Sequence, residues 1–149
     1  MSAIVNDIIT ELKSICSTVL GAEYQLVPFI FDVSKNDSRR SEKAFGVRSL
    51  SGTPSESVTK YYTVDQGFEI VLVDTIARTA DDSQREDVIG VMYDKADEIF
   101  KEIVNTKINL AVNVLVVNGP ELSEPEFYDE NKLVVLRVGI TAKYRNILN

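Results

Sequence analysis

The chain has 149 residues, of which 44% are hydrophobic and 26% are charged. This length supports one domain with a substantial core, and the composition is globular rather than disordered. A net charge of −7 argues against non-specific binding to nucleic acid, because such binding needs lysine and arginine to neutralise phosphates.

The first predicted element is an amphipathic helix. Apolar residues recur at three- and four-residue spacing through Ala3–Leu20, which predicts a helix with one buried face. Gly21 follows and is a typical helix stop. The single cysteine, Cys16, lies on the apolar stripe with no basic group spaced to activate it. We interpret it as a small buried hydrophobic residue rather than a nucleophile, and one cysteine excludes an internal disulfide.

Two or three strands are predicted next. The stretch Tyr24–Val33 is rich in β-branched and aromatic residues, and Pro28 restricts it to a sheet edge or delays its start. Ala44–Leu50 alternates weakly and predicts a short strand. Ser51–Gln66 is polar and predicts a loop, which we expect to be mobile in the free protein and ordered against a partner.

The strongest internal strand is predicted at Gly67–Thr75. Its centre, Ile70–Val73, is apolar on both faces, so both faces should be covered. With only two helices available as cover, this pattern favours self-association. A second helix is predicted to follow, with Ser83 and Glu86 as a capping box, and to extend to about Asn105.

The remaining sequence predicts two more strands around an acidic loop. Ile108–Asn118 alternates between apolar and polar residues, Gly119–Asn131 is acidic, and Lys132–Arg145 alternates cleanly. The order predicts a single α+β domain over residues 1–149. We expect one largely antiparallel sheet of four to five strands with two helices packed on one face.

Little in the sequence is spaced for catalysis. There is no histidine, which removes the commonest general base and metal ligand. Ser57 and Lys60 match a Ser-x-x-Lys spacing, but the companion motifs are absent and one such match is expected by chance. No calcium loop or phosphate-binding glycine loop is present. We therefore predict no enzyme activity, cofactor or metal, and expect function to reside in surfaces.

The order of elements carries a resemblance. It consists of the N-terminal helix, the polar stretch "SGTPSESVTKYYTVDQ", "GFEIVLVDT" before an acid-capped helix, and two closing strands ending in "VGITAKYR". This pattern resembles the tail terminator (tail completion) family of long-tailed bacteriophages. The resemblance implies a homo-hexameric ring in the virion that caps the tail tube, stops its polymerisation and joins the tail to the head connector. DNA would pass through the ring without specific binding.

Two sets of surface residues are expected in such a ring. The protein contacts are predicted to use basic and tyrosine residues, namely Arg39, Arg40, Lys43, Tyr61, Tyr62, Arg137 and Lys143. The DNA channel is predicted to be lined by acidic residues, namely Glu121, Glu124, Glu126, Asp129 and Glu130, with carboxylates of the second helix as a fallback. Arg39, Arg40 and Lys43 form a basic cluster. For both this basic cluster and the acidic loop, a plain solvated surface is the alternative.

Other functions stay open at this point. Within virion assembly, the chain is also compatible with another head-to-tail neck or stopper subunit. A small ligand-binding, regulatory or enzymatic domain is the alternative outside it. No leader and no membrane-length apolar run are seen, so we expect assembly in the host cytoplasm and no membrane contact.

Overall fold

A computed structural model describes residues 3–27, 43–58, 61–77, 79–106, 114–128 and 132–147. Their elements, in chain order, are α1 (Ala3–Leu20), β1 (Gln25–Leu26), β2 (Ala44–Val58), β3 (Tyr61–Thr75), α2 (Asp82–Thr106), β4 (Val114–Leu122), β5 (Glu126–Tyr128) and β6 (Leu133–Ile147). Among these residues, neither helix has the length and apolar character needed to cross a membrane.

The strands form one open sheet in the order β1-β2-β3-β6-β4, with β5 beside β6. Among the described strands, β1 and β2 are parallel, and the other pairs are antiparallel. The predicted mixed fold with a largely antiparallel sheet is therefore confirmed. The predicted count of four to five strands was too low, because part of the acidic loop pairs with β6 as a sixth strand, β5.

The predicted loop Ser51–Gln66 is mostly strand, so this prediction was wrong. β2 and β3 stay paired from their central residues out to Val58 and Tyr61. The ladder satisfies the backbone of this polar stretch, which its composition did not indicate. Pro54 is tolerated because it lies at a register shift on the part of β2 that β1 does not pair.

One glutamine side chain compensates for an irregularity in β2. The register shifts before Gly52 and leaves Leu50 without a partner in the β2–β3 ladder. The Gln66 Nε2 atom donates to the Leu50 carbonyl at 2.5 Å and to the Gly67 carbonyl at 3.2 Å. A Cβ on Gly52 would collide with Gln66 Oε1, so glycine leaves room for the side chain that closes the bulge.

Alternation along β3 and β6 divides the sheet into two faces with separate cores. The larger core joins both helices to even-numbered strand residues, among them Ile8, Leu12 and Cys16 of α1, Met92, Ala96, Ile99 and Ile103 of α2, and Phe68, Ile70, Leu72, Leu136, Val138 and Ile140 of the sheet. The smaller core, on the other face, contains Ala44, Val71, Val73, Leu133 and Val135. That both helices cover a single face of the sheet remains a prediction.

Both faces of Ile70–Val73 are buried, as the sequence predicted. Val71 and Val73 are 0% exposed within the single chain. This stretch therefore offers no free apolar surface to a second subunit, and it no longer supports self-association.

The start of α2 corrects the predicted capping box. The Gln84 N–H donates to Asp81 Oδ1 at 2.8 Å, and the Asp81 N–H donates to Gln84 Oε1 at 3.0 Å. The box is therefore formed by Asp81 and Gln84, not by Ser83 and Glu86. Both pairs have the spacing of a capping box. The helix begins at the earlier pair, Asp81 and Gln84, whose side chains bond N–H groups that a helix start leaves free.

We predict that Gln66→Ala lowers the free energy of unfolding by about 1–3 kcal/mol, because the Leu50 carbonyl loses its donor. Gly52→Ala should also destabilise the fold in the native background. Gly52→Ala should lower the free energy of unfolding by less when it is combined with Gln66→Ala, because the colliding Gln66 Oε1 atom is then absent. Urea unfolding of the two single variants and the double variant measures this coupling.

Gly90→Ala is the matched control for Gly52→Ala. Gly90 is an exposed glycine in α2, and a Cβ there meets nothing within 4 Å. This variant should gain about 0.5–1 kcal/mol from helix propensity. If the double variant loses as much free energy of unfolding as the Gly52 and Gln66 variants lose together, the proposed role of Gln66 is wrong.

Candidate functional site

The most structured polar surface lies on the face of the sheet opposite the larger core. We call this the open face, and define it as the side to which the odd-numbered residues of β3 and β6 point. Paired residues of antiparallel strands share a face, so Glu126 and Tyr128 of β5 belong to it through their partners Val135 and Leu133. The smaller core covers one end of this face, and charged side chains occupy its middle.

A charge network crosses four strands at the middle of the open face. Arg137 of β6 donates from Nη1 to Glu69 of β3 and from Nε to Glu126 of β5, at 3.2 Å in each case. Glu69 also accepts from Arg48 of β2, at 2.9 Å from Nη2. The side chains of Glu69 and Arg137 are only 16% and 20% exposed. The network therefore neutralises its own charges and ties β2, β3, β5 and β6 together at one level.

Arg137 is the central cation of this network. Burial of its guanidinium opposes the charged form, but Glu126 and Glu69 more than offset that effect, and the pKa of Arg137 is raised above its usual value. The carboxylates therefore favour the charged form of the guanidinium. Arg137 thus acts as a fixed bridge between two carboxylates.

Next to the network lies a small depression that we call the glycine trough. Its lining includes Gly67 and Gly139 on the two central strands, Leu50 on the β2 side, and Asn118, Glu121 and Thr141 on the β4 and β6 side. Its volume is about 160 Å³, smaller than the roughly 300–1,000 Å³ of typical small-molecule pockets. Glycine in the interior of a strand often marks a place where another group approaches closely.

A second polar cluster lies where β3 ends. The Tyr24 hydroxyl donates to buried Asp74 at 2.9 Å. Burial and this carboxylate both raise the pKa of Tyr24. The Lys43 ammonium lies 3.3 Å from Glu23, 3.9 Å from Asp74 and 5.6 Å from the centre of the Tyr24 ring. Lys43, predicted as a contact residue, is therefore engaged within its own chain.

The other predicted contact residues have varied locations. Arg39 and Arg40 lie outside the described residues. Tyr62 is half-buried and packs against the larger core, and Tyr61 belongs to β3. Arg137 belongs to the charge network, and Lys143 lies 4.0 Å from Asp65 on the open face. Of these, the structure brings Arg137 and Lys143 to one surface, and their role in protein contacts stays a prediction.

The predicted channel residues do not form one group. Glu121 and Glu124 are exposed, whereas Glu126 is half-buried and bound to Arg137. Asp129 and Glu130 lie outside the described residues. The predicted set is therefore reduced to two free carboxylates in the part of the chain that the structure describes.

The outer surface of α2 carries the densest negative charge of the two helices. Seven carboxylates against three bases between Asp82 and Thr106 give a net charge of −4. The ion pair between Lys101 and Asp97 is 2.9 Å long, and Lys95 pairs with Glu98 at 3.8 Å. These pairs are exposed and contribute little stability, so the helix surface stays acidic.

Sequence reasoning missed Glu69, Arg48 and the two glycines of the trough, Gly67 and Gly139. Glu69 is the one acidic residue between two apolar stretches of the predicted strand, and this position was a usable signal for a partner across the sheet. The two glycines gave no such signal, because only the register places Gly67 beside Thr141 and Gly139 beside Glu69.

The described residues contain no group of three or more His, Cys, Asp or Glu side chains that could hold a metal ion. Cys16 is fully buried, and burial raises the pKa of its thiol to about 12. The reading of Cys16 as a core residue is confirmed. Searches against models of known protein families and against curated proteins found no match for this chain.

We predict that Arg137→Met destabilises the fold by about 2–4 kcal/mol, because Glu69 and Glu126 would be left partly buried without their shared cation. Lys143→Met is the matched control. It removes a more exposed cation at 4.0 Å from its partner and should cost less than about 1 kcal/mol. If urea unfolding gives the two variants the same loss in free energy of unfolding, the network contributes no more stability than an exposed ion pair.

Cys16 gives a prediction on pH. Its folded-state pKa of about 12 lies above the ordinary value of 9.0, so folding favours the neutral thiol. This contribution to stability is complete below pH 9 and is lost as the pH rises through 9 towards 12. The thiol should also resist alkylation at pH 8 until the chain unfolds. Rapid labelling of the native protein by a maleimide would contradict its burial.

Proposed function

We propose that this protein is a virion assembly protein, a tail terminator that forms a homo-hexameric ring on the tail tube. The ring stops tube polymerisation and presents a surface to the head connector. The observation that carries the proposal is the order of elements, which is the order of the resemblance noted in the sequence: a helix, two long strands, an acid-capped helix and closing strands.

The position of β6 supports this role. β6 pairs with β3 along fifteen residues and also with β4 and β5, so the closing strand is central in the sheet. A ring repeats one contact between two different surfaces of the subunit, and it closes only if the subunit holds a fixed shape. A sheet braced by a central strand and by the charge network on its open face meets this requirement. We further propose that both helices pack on the other face.

The distribution of charge supports a DNA channel lined by α2 rather than by the acidic loop. Glu126 is bound to Arg137, whereas the carboxylates of α2 are mostly exposed and give that surface a net charge of −4. An acidic wall repels the phosphates of DNA and lets it pass without binding. In this arrangement the basic residues serve protein contacts, with Arg39 and Arg40 placed against a neighbouring protein.

The test begins with assembly. We expect the purified protein to form hexameric rings on tail tubes, seen by negative-stain imaging, and expect the free protein to bind no DNA at low salt. Reversing both arginines, Arg39→Glu with Arg40→Glu, should weaken assembly with a change in folding stability of less than about 0.5 kcal/mol. The matched control is Lys101→Glu on α2, which should leave assembly intact.

Two outcomes would overturn the proposal. One is a strict monomer in assembled particles, and the other is a channel lined chiefly by lysine and arginine. Rings found in the neck, away from the tube end, would instead identify a different head-to-tail joining subunit.

A further inference from the structure

The glycine trough lies between two register shifts, one in β2 and one in β4, which flank the central strands β3 and β6. The register of β2 shifts just before Gly52, and the register of β4 shifts between Asn118 and Glu121. Between these two shifts lie Gly67 and Gly139 on the central strands. Bulges are frequent where a sheet turns a side chain towards a functional surface. Here the register shift in β2 leaves Leu50 beside Gly67. The Leu50 side chain is 43% exposed and forms an apolar wall of the trough.

Nothing within the described residues requires glycine at position 139. Its backbone lies outside the left-handed region, and a Cβ placed there would lie 3.6 Å from the Cβ and carbonyl oxygen of Glu121, which is ordinary contact. Glycine in the interior of a strand is less stable than alanine, because it loses more conformational freedom on folding. A side chain at position 139 would project into the trough, and glycine leaves that space open.

The lining of the trough defines the chemistry of its occupant. Leu50 and the glycine backbones offer apolar contact to a long stem. Glu121 is exposed and has no ion pair among the described residues, and Asn118 and Thr141 offer further polar atoms beside it. A side chain with an aliphatic stem and a cationic head fits this combination. Arginine fits best, because its planar guanidinium matches a carboxylate and its stem packs on apolar surface.

We propose that the trough receives an arginine, Arg39 or Arg40, from an adjacent copy of the chain. This inference rests on the proposed ring and names the surface that receives the basic cluster. Lys43, the third member of the cluster, is already held by Glu23 and Asp74 in its own chain. The charges are complementary, since the arginines meet an exposed carboxylate. A ring repeats one contact between two different surfaces of the subunit, so in the proposed ring the arginine comes from the neighbouring copy.

Crosslinking between two different variants tests the contact. Chains carrying Glu121→Cys are mixed with chains carrying Arg40→Cys, and separately with Arg39→Cys, and a short bifunctional maleimide that spans an arginine–glutamate pair is added. The native Cys16 is buried and does not compete. We expect a crosslinked dimer from at least one mixture. Glu124→Cys, at an exposed acid outside the trough, is the matched control and should give none.

Charge exchange tests the chemistry of the contact. Glu121→Arg should weaken self-association about ten-fold or more, and adding Arg39→Glu with Arg40→Glu in the same chain should restore it in part. Gly139→Leu, which fills the trough, should abolish association, whereas Gly139→Ala should change it little. Unfolding curves show whether each variant is folded, and the charge exchange does not depend on Gly139→Leu being folded.

The results separate this inference from the proposed function. No crosslink above the Glu124→Cys control at any protein concentration, or no restoration by the exchanged charges, overturns the arginine contact. Hexameric rings that still assemble in the Glu121→Arg variant overturn it while leaving the proposed function in place. A crosslink without rings on tail tubes would instead support the contact and count against the tail terminator.

Discussion

The fold depends on one interaction, the antiparallel ladder between β3 and β6. Its register pairs all fifteen residues of each strand without a shift, from Tyr61 with Ile147 to Thr75 with Leu133. Among the described strands, β2 pairs with β3, β4 and β5 pair with β6, and β1 joins the sheet through β2. The larger core, the smaller core and the charge network each use residues of both strands. Loss of this ladder would separate the two halves of the sheet and of both cores.

The parts of the fold that were predictable are those with local periodicity. The bounds of α1 and the centres of β3 and β6 follow from spacing that one element contains by itself. The outer half of the β2–β3 hairpin was mistaken for a loop, because its order comes from pairing with another strand and its residues are polar. The capping box of α2 was misplaced for a different reason: two pairs with equal spacing overlap by two residues.

The candidate site was less predictable than the fold. The alternation of β6 placed Arg137 and Lys143 on a polar face, and the structure agrees with that. Glu69, however, lies 68 residues from Arg137 in sequence, and only the register brings them together. The trough depends on two register shifts in separate strands, and neither shift has a local signature strong enough to locate it. Surfaces built from long-range pairing are therefore the least visible in a single sequence.

The central position of β3 and β6 also has a mechanical consequence. Each has fifteen residues, and at about 3.3 Å per residue each is about 50 Å long. Both are paired on either side along much of that length. A force applied along the strand axis must therefore load many backbone hydrogen bonds at once, instead of opening them one after another from an end. Along that axis the sheet should behave as a stiff plate, which stretches little before it fails.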